Sequence, residues 1–484
     1  MENAYYMGID IGSSSLKGVL ADRQGEICAA GQLSYEIDQP ISGWAESQPD
    51  VWWTGVRRFL EEALETCPRA RRGLRGVFVS GMVPNLVSLD EGGRPVRPAI
   101  LYRDNRAVNE CESLNRTFDL SFNMQDVVPK WAWIREHEPE QFSRIHSILN
   151  THSYIVYRLT GVLSADSDIA ALMGAGVYDP AQGWNRALLE SLGLPVSVLP
   201  PTVYPGQAVG VIRQELAGEL GIVGEVPVFA GNGDSLASML GTGVVDQGDA
   251  MLYLGTAATL WYMEEDLIRL AGGDIFGSGK LHFAGNTLTG GELLRWFRYG
   301  LQLGGANWSF DQLEEMARKI PPGSDGLIVL PHFMGERTPQ LRPEAKGGIF
   351  GLTPSHTGAH IYRALMEAVA YNLRDSYEAA GWKARRLVVT GGGAKSSLWR
   401  QILSDVFGAE IEYYARGDAP LGNAYFAGVA LGDFNDFDLL KQWLGQPDLC
   451  KPESGKVRVY ENRFEAYKNL DRTLAGVYAT LSGQ

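Results

Sequence analysis

Two stretches half a chain apart share one layout, and that repetition limits the possible folds more than any other feature. Residues 7 to 20 read MGIDIGSSSLKGVL and residues 250 to 263 read AMLYLGTAATLWYM. Each is an apolar strand, a glycine followed by hydroxyl and small residues, and a second apolar strand, with Gly12 and Gly255 at equivalent places. Strand, glycine turn and strand make a hairpin, so the echo predicts duplicated domains that each open on the same hairpin. Two unrelated glycine-turn hairpins are the alternative. At 484 residues the chain is too long for one compact core, and two sizeable domains are the default. We place the boundary near residue 245, inside GTGVVDQGD.

Short β-type runs alternate with helical patterns, which is the signature of an α/β fold with open sheets. Strands are predicted at GVFVS (76–80), AILY (99–102), VPVFA (226–230), MLYL (251–254) and RLVVT (386–390). Two helices stand out by period. Ile361, Leu365, Ala368, Val369 and Asn372 fall on one stripe that Gly381 stops, and Leu398, Ile402 and Val406 recur every four residues before Gly408.

The formal net charge of −14 argues against a broad phosphate-backbone footprint, and so against nucleic acid, while leaving room for a small anion held locally. Cys28, Cys67, Cys111 and Cys450 are scattered without CxxC spacing, which indicates neither a zinc site nor a disulfide framework. The opening MENAYYMGID lacks the basic and apolar regions of a secretory leader, and residues 251–263 are too short and too interrupted to span a bilayer. A cytoplasmic protein without membrane partners is expected.

The chemistry concentrates in turns. Glycine lets backbone N–H groups approach a ligand, and Ser13, Ser14 and Thr256 add hydroxyls, so each hairpin turn suits phosphate oxygens. Asp10, at the end of the first strand, then has a purpose: a carboxylate beside phosphates holds magnesium directly or through water. Tyr253 stands at the matching place in the second hairpin, so only one half carries the metal. Lys17 reads on spacing alone as a solvated strand lysine, with phosphate contact as the alternative. In GNGDSLAS, Asp234 sits where a helix starts, and it reads either as the helix N-cap or as a base that takes a proton from an attacking hydroxyl.

The loop GGGAKSS after the strand RLVVT has the outline of a dinucleotide fingerprint, with Glu410 about 20 residues on. Against that, its third glycine is Ser396, and Ala394 before Lys395 rules out a Walker A loop. Trp52, Trp53, Trp131 and Trp133 read as core or groove residues. His356 and His360 lack the acid of an HExxH metal motif. Asp104 and Arg106 in YRDNR read equally as a surface ion pair or as site residues.

The order of these motifs along the chain carries more than any one of them. GIDIGSSSLKGVL, AILYRDNRA, PKWAWIREHEPE with Lys130 and Trp133, GNGDSLASMLGTG, LGTA, LPHFMGERTPQLRPEAKGGIFGLT, GGGAKSSLWRQILSD and APLGNAYFAG follow in sequence. On these residues the chain resembles the FGGY carbohydrate kinases, most closely their xylulokinase-like branch, over nearly its whole length. GERTP followed by KGGIFGLT is highly specific to that family.

The resemblance implies an α/β fold of two duplicated actin-like (ribonuclease H-like) ATPase domains of the sugar-kinase type, with ATP between them. Residues 1–245 would form the N-terminal domain, which binds the sugar and carries the catalytic base. Residues 246–484 would form the nucleotide-binding C-terminal domain with a helical tail. Asp234 matches the family's base, and Asp10 with Asp234 would hold magnesium. Gly12, Ser13, Ser14, Ser15 and Lys17 match the first phosphate loop, and Gly255 and Thr256 the second. Gly291, Arg295, Gly392, Gly393 and Ser397 match nucleotide-lining positions.

Met82, Val83, Asp234 and Ser235 match the sugar pocket, where Val83 replaces the histidine and Ser235 the asparagine typical of xylulokinases. The expected reaction is ATP-dependent phosphorylation of a primary hydroxyl on a small ketose such as xylulose. A polyol or sugar acid (gluconate- or erythritol-like) is the alternative acceptor. A catalytically idle actin-like nucleotide-binding protein and an NAD-dependent oxidoreductase are rival classes, and a homodimer is left open.

Overall fold

A computed structural model of the chain describes residues 4–270, 273, 275, 278–301 and 308–481. It divides into two compact units, the first made of Met1–Gly243, Leu267–Lys280 and Arg416–Leu444, the second of Val244–Asp266, Leu281–Ala415 and Gly445–Gln484. Residues 416–444 thus pack with the first unit although they lie far beyond residue 245 in sequence.

In chain order the first unit contributes β1 (Tyr5–Ile11), β2 (Ser15–Asp22), β3 (Ile27–Ser34), α1 (Pro49–Thr66), β4 (Leu74–Gly81), α2 (Val108–Phe118), α3 (Val127–His137) and α4 (Thr151–Thr160). It continues with β5 (Ala208–Val211), β6 (Pro227–Phe229), β7 (Asn232–Gly233) and α5 (Asp234–Gly241). The second unit follows with β8 (Asp249–Leu254), β9 (Ala258–Met263), β10 (Leu281–Thr287), α6 (Gly291–Arg295), α7 (Gly358–Ala380), β11 (Arg386–Thr390), α8 (Ser397–Phe407) and β12 (Ile411–Tyr413). The chain then returns to the first unit for α9 (Ala419–Ala430) and ends in the second with β13 (Asp448–Cys450) and α10 (Ser454–Leu481).

The echoed hairpins are β1–β2 and β8–β9, both antiparallel. Each hairpin's first strand pairs in parallel with a later strand, β1 with β4 and β8 with β11, and each second strand takes an antiparallel outer neighbour, β3 or β10. The seven-stranded sheet of the first unit therefore contains the order β4-β1-β2-β3, and the six-stranded sheet of the second contains β11-β8-β9-β10. Every residue of β1 is buried, as expected of a central strand covered on both faces.

Helix ends follow local chemistry. Thr357 opens α7 in a reciprocal cap with His360, and Gly381 closes it at φ 70°. Ser396 caps α8 by accepting from Trp399 N at 3.1 Å, and Gly408 closes that helix at φ 61°. His360 is therefore a capping residue. The strand predicted at 99–102 is shorter, Ala99–Ile100, because Tyr102 N donates to the side-chain oxygen of Asn85 (2.6 Å) and not to a neighbouring strand.

Asp104 and Arg106 are not a surface pair. Both side chains are fully buried 2.8 Å apart, and the guanidinium lies between the Trp44 ring at 3.8 Å and the Trp133 ring at 4.9 Å. Among the described residues no helix is long and apolar enough to cross a membrane.

In the first unit α9 lies directly on β1 and α5. A Cβ added to Gly8 would fall 1.9 Å from Pro420 O, one on Gly241 would fall 2.1 Å from Asp418 O, and one on Gly422 would fall 2.3 Å from Gly241 N. All three neighbours are backbone atoms, which yield only if a whole helix or strand moves. Gly422→Ala is accordingly expected to destabilise the protein by about 2–4 kcal/mol. Gly476→Ala, on an exposed turn of α10 with nothing within 4 Å, should be neutral or stabilise by up to ~1 kcal/mol. Urea titrations in which the two variants shift alike would contradict this packing argument.

Candidate active site

Strand register builds the acidic centre of the first unit. Asp10 and Ser80 are partners across β1 and β4, so their side chains share a face, and Ser80 Oγ donates to Asp10 Oδ1 at 2.6 Å. Asn423, from α9, fixes this pair: its Nδ2 donates to Ser80 Oγ (2.7 Å) and to Ile9 O (2.9 Å). Asp418 opens α9 by accepting from Ala419 N, and it takes the Lys17 ammonium at 2.8 Å.

The N-cap reading of Asp234 does not hold. Gly233 occupies the cap position without a side-chain bond, and Asp234 is the first residue inside α5. Its carboxylate meets the N–H and hydroxyl of the next residue, Ser235, and does not act from the cap position. It is half-buried, and burial pushes its pKa up to about 6, against the Ser235 N–H and hydroxyl and the His152 charge, which favour the ionised form. Burial raises Asp10 further, to about 7; the Ser80 bond and Lys17 oppose the shift, while the Asp234 and Asp418 carboxylates add to it. Three acids thus share one region of the first unit.

Around Asp234 the chain is tightly fitted. A Cβ on Gly231 would meet Val79 O at 2.0 Å and His152 Cδ2 at 2.9 Å, and one on Gly233 would meet Val83 Cγ2 at 2.9 Å. Met82 and Val83 therefore lie beside the GNGD turn, with Met82 N donating to Ile11 O (2.9 Å). His152 is fully buried, its Nε2 2.5 Å from Asp166 Oδ2. The Tyr102 phenol is raised by burial and then by the Asp234 charge, which places it near that carboxylate. Lys130, whose own pKa falls to about 7 through burial, supports the backbone there by donating to Leu101 O (3.0 Å) and Gln125 O (2.8 Å).

The first hairpin turn closes through Gly12 N donating to Ser15 O at 3.1 Å. Ser15 is buried and its hydroxyl accepts from Gln32 (3.1 Å), whereas the hydroxyls of Ser13 and Ser14 take no protein partner among the described residues. In the second unit the corresponding turn is held by Gly291 N donating to Gly255 O and Gly290 N donating to Thr256 O, both at 2.7 Å. A Cβ on Gly291 would stand 2.8 Å from Gly255 O, so the N-terminus of α6 is pressed onto the turn.

The glycine loop after β11 meets the end of β8: a Cβ on Gly391, at φ 92°, would lie 2.6 Å from Leu254 O, and one on Gly393 2.7 Å from Trp399, yet one on Gly392 touches nothing within 4 Å. Gly255, Thr256, Gly291, Gly392 and Gly393 are thereby gathered at the carboxyl ends of two parallel strands, where α/β sheets bind ligands. Ser397 and Arg295 have protein partners: Arg318 Nη2 donates to Ser397 Oγ (2.8 Å), and Arg295 faces Glu292 at 3.4 Å. Glu410, just before β12, pairs with Lys451 at 3.6 Å.

In the first unit, carboxylates with one lysine as counter-charge are the hard oxygen ligands that magnesium takes. In the second unit, taken by itself, the glycine loop leaves open space at Gly392. Ser80, Asn423, Asp418, Tyr102 and His152 escaped the reading of the sequence. Asn423 and Tyr102 carried a signal, since they belong to the runs APLGNAYFAG and AILYRDNRA. The other three are brought in by tertiary packing.

Family models for the N-terminal and C-terminal domains of the FGGY family of carbohydrate kinases match residues 5–241 and 238–431. The xylulose kinase of Escherichia coli (strain K12) is 30% identical over 492 residues, covering 98% of this chain and all of that one. The xylulose kinase of Bacillus subtilis (strain 168) is 29% identical over 485 residues, covering 96% of each chain. Among solved structures, a xylulose kinase from Brucella ovis matches with a TM-score of 0.85 and 26% identity, over 98% of this chain and 100% of that one. A gluconate kinase from Lactobacillus acidophilus shares the fold, with a TM-score of 0.84 at 24% identity over 99% of each chain. The chain belongs to the FGGY family of carbohydrate kinases and is an ATP-dependent sugar kinase with the two-domain actin-like fold of that family.

Proposed function

We propose that this kinase phosphorylates the primary hydroxyl of a small ketose of the xylulose type, with the acceptor side on the N-terminal domain and the nucleotide side on the C-terminal domain. The observation that carries the assignment of roles is Asp234 itself: a half-buried carboxylate, free of capping duty, with a pKa of about 6 and a second acid beside it. A base with that pKa is mostly ionised at neutral pH yet accepts a proton readily.

Asp234 takes the proton of the acceptor hydroxyl as the oxygen attacks the terminal phosphorus in line, and the bond to the departing diphosphate breaks. Asp10 and Asp234 would hold magnesium, which when bound with ATP neutralises charge on the phosphoryl oxygens. The backbone N–H groups and hydroxyls of Gly12, Ser13, Ser14 and Ser15 offer fixed dipoles to phosphoryl oxygens, as do those of Gly255 and Thr256. Lys17 joins them once its pair with Asp418 exchanges for phosphate. Gly291, Arg295, Gly392, Gly393 and Ser397 line the nucleotide. Met82, Val83 and Ser235 border the acceptor, and a cytoplasmic site of action completes the reading.

The xylulose kinases that align along the chain support the ketose. Val83, an aliphatic residue where a hydrogen-bonding histidine stands in xylulokinases, favours the second reading, a polyol or sugar acid. A coupled ADP-release assay over ketopentoses, ketohexoses, pentitols, tetritols and sugar acids separates the two. A highest kcat/KM on a ketopentose is the expected outcome, and a preference of tenfold or more for a sugar acid would replace the first reading with the second.

Asp234→Ala should lower kcat roughly 10³-fold while nucleotide affinity stays within about threefold; retained turnover would remove Asp234 from the role of base. For the wild type, kcat/KM for the sugar should fall on the acid side as Asp234 protonates, by up to tenfold per pH unit, with a midpoint at or below the metal-free value of about 6 because a bound cation favours the ionised carboxylate. Activity that stays flat down to about pH 4 contradicts the assignment.

Asp10 also predicts a stability change. Its folded pKa of about 7 lies above the ordinary 3.8, so wild-type stability is lost as pH rises through 7. Asp10→Asn keeps an acceptor for Ser80 and should stabilise the metal-free protein by on the order of 2–4 kcal/mol at pH 8, with the gain vanishing near pH 4. Thermal unfolding in chelator at both pH values checks the sign.

A further inference from the structure

Away from the acidic centre, the first turn of α2 and the last of α3 bring three ligand-type side chains together. Glu110, only 6% exposed, places Oε1 2.9 Å from His137 Nε2. Its second oxygen, Oε2, is buried and has no hydrogen-bond partner. A buried carboxylate oxygen without a donor is rare in folded proteins, because its lost hydration is not replaced. Glu136 adds another carboxylate beside His137, and one ligand atom from each of the three residues lies within 4.8 Å of the others.

We propose that Glu110, Glu136 and His137 bind a divalent cation of the zinc class. Four observations support it together. The imidazole is pre-oriented, since His137 stacks on Trp133 with ring centres 4.9 Å apart at 23°. The Nε2 to Oε1 separation of 2.9 Å is close to the roughly 3.3 Å expected between two ligands about 2.0 Å from one tetrahedral ion.

Glu136 and His137 are both about half exposed, 52% and 51%, so their side chains are free to close on an ion that the buried Glu110 anchors. Beside the cluster lies a cavity of about 210 Å³, lined by Glu110, Ser113, Thr117, Arg135 and Glu136, which leaves room for water as a further ligand.

One imidazole nitrogen with two carboxylate oxygens selects zinc or a similar first-row ion over magnesium, which prefers an all-oxygen shell. The ion displaces the proton shared by His137 and Glu110, engages the unpaired oxygen, and ties α2 to α3. In its absence Arg135 Nη2 donates to Glu136 at 3.1 Å, a contact exposed enough to exchange.

Calorimetric titration of the intact protein with zinc chloride, in millimolar magnesium and without nucleotide, tests this. One zinc per chain with a micromolar Kd is expected, together with a rise in Tm. His137→Ala and Glu110→Gln should each weaken that binding by about 10- to 100-fold or more and abolish the rise in Tm, with kcat for the sugar unchanged in His137→Ala. Since His137 is exposed, its variant keeps the test valid if Glu110→Gln folds poorly. Absence of zinc binding, or the same isotherm in wild type and His137→Ala, overturns the proposal.

Discussion

The contact on which the rest of the first unit depends is the approach of α9 to β1 and α5 at backbone distance. Glycine at positions 8, 241 and 422 is required there, because a single Cβ would intrude on main-chain atoms at 1.9 to 2.3 Å. The approach sets Asn423 against Ile9 O and Ser80 Oγ, and Ser80 in turn holds Asp10. The orientation of the first acid of the site is therefore set by a helix more than 400 residues further along the chain. It also explains why residues 416–444 fold with the first unit: their helix has no looser way to cover β1.

Electrostatics separates this region from the rest of the molecule. Several buried acids elsewhere are matched by arginine. Asp104 and Glu46 share Arg106, Glu367 meets Arg363 at 2.8 Å and also accepts from Ser324 and Tyr460, and Asp249 meets Arg386 at 3.0 Å. Asp10 instead is raised by burial, with the Asp234 and Asp418 carboxylates adding to the shift and Lys17 opposing it. Asp10 is thus buried with two further acids nearby and one lysine as counter-charge, a repulsion that a bound cation would relieve.

What the sequence made legible was local. Both hairpins, the ends of α7 and α8, and the strand RLVVT follow from alternation, glycine placement and capping residues within a few positions of each other. The acid at the end of β1 was also legible, because it depends on strand position alone. Asp234 was half legible: a helix start was foreseen, but a one-residue shift decides between cap and free carboxylate, and short-range preference does not resolve one residue. Ser80 and His152 were not legible as site residues, and Asn423 and Tyr102 were legible only as members of quoted runs, since each enters through strand register or helix docking across long separations. Asp104 and Arg106 illustrate the same limit. Their bond is local, and only the two tryptophans around them make it a buried one.

The acceptor side shows how a small change at one position redistributes work among its neighbours. Ser235 directs both its N–H and its hydroxyl to Asp234, where they hold the pKa near 6 against burial. On the assignment proposed above, Ser235 would serve the base more than the acceptor. Val83 brings no polar group, and His152 has its Nε2 committed to Asp166. The Tyr102 phenol is a further group whose oxygen both donates and accepts, and its backbone is fixed by Asn85 and the buried Lys130. On that assignment, recognition of sugar hydroxyls would rest on fewer rigid partners than a histidine and an asparagine supply, and the acceptor's own shape against Met82 and Val83 would contribute more of the selectivity.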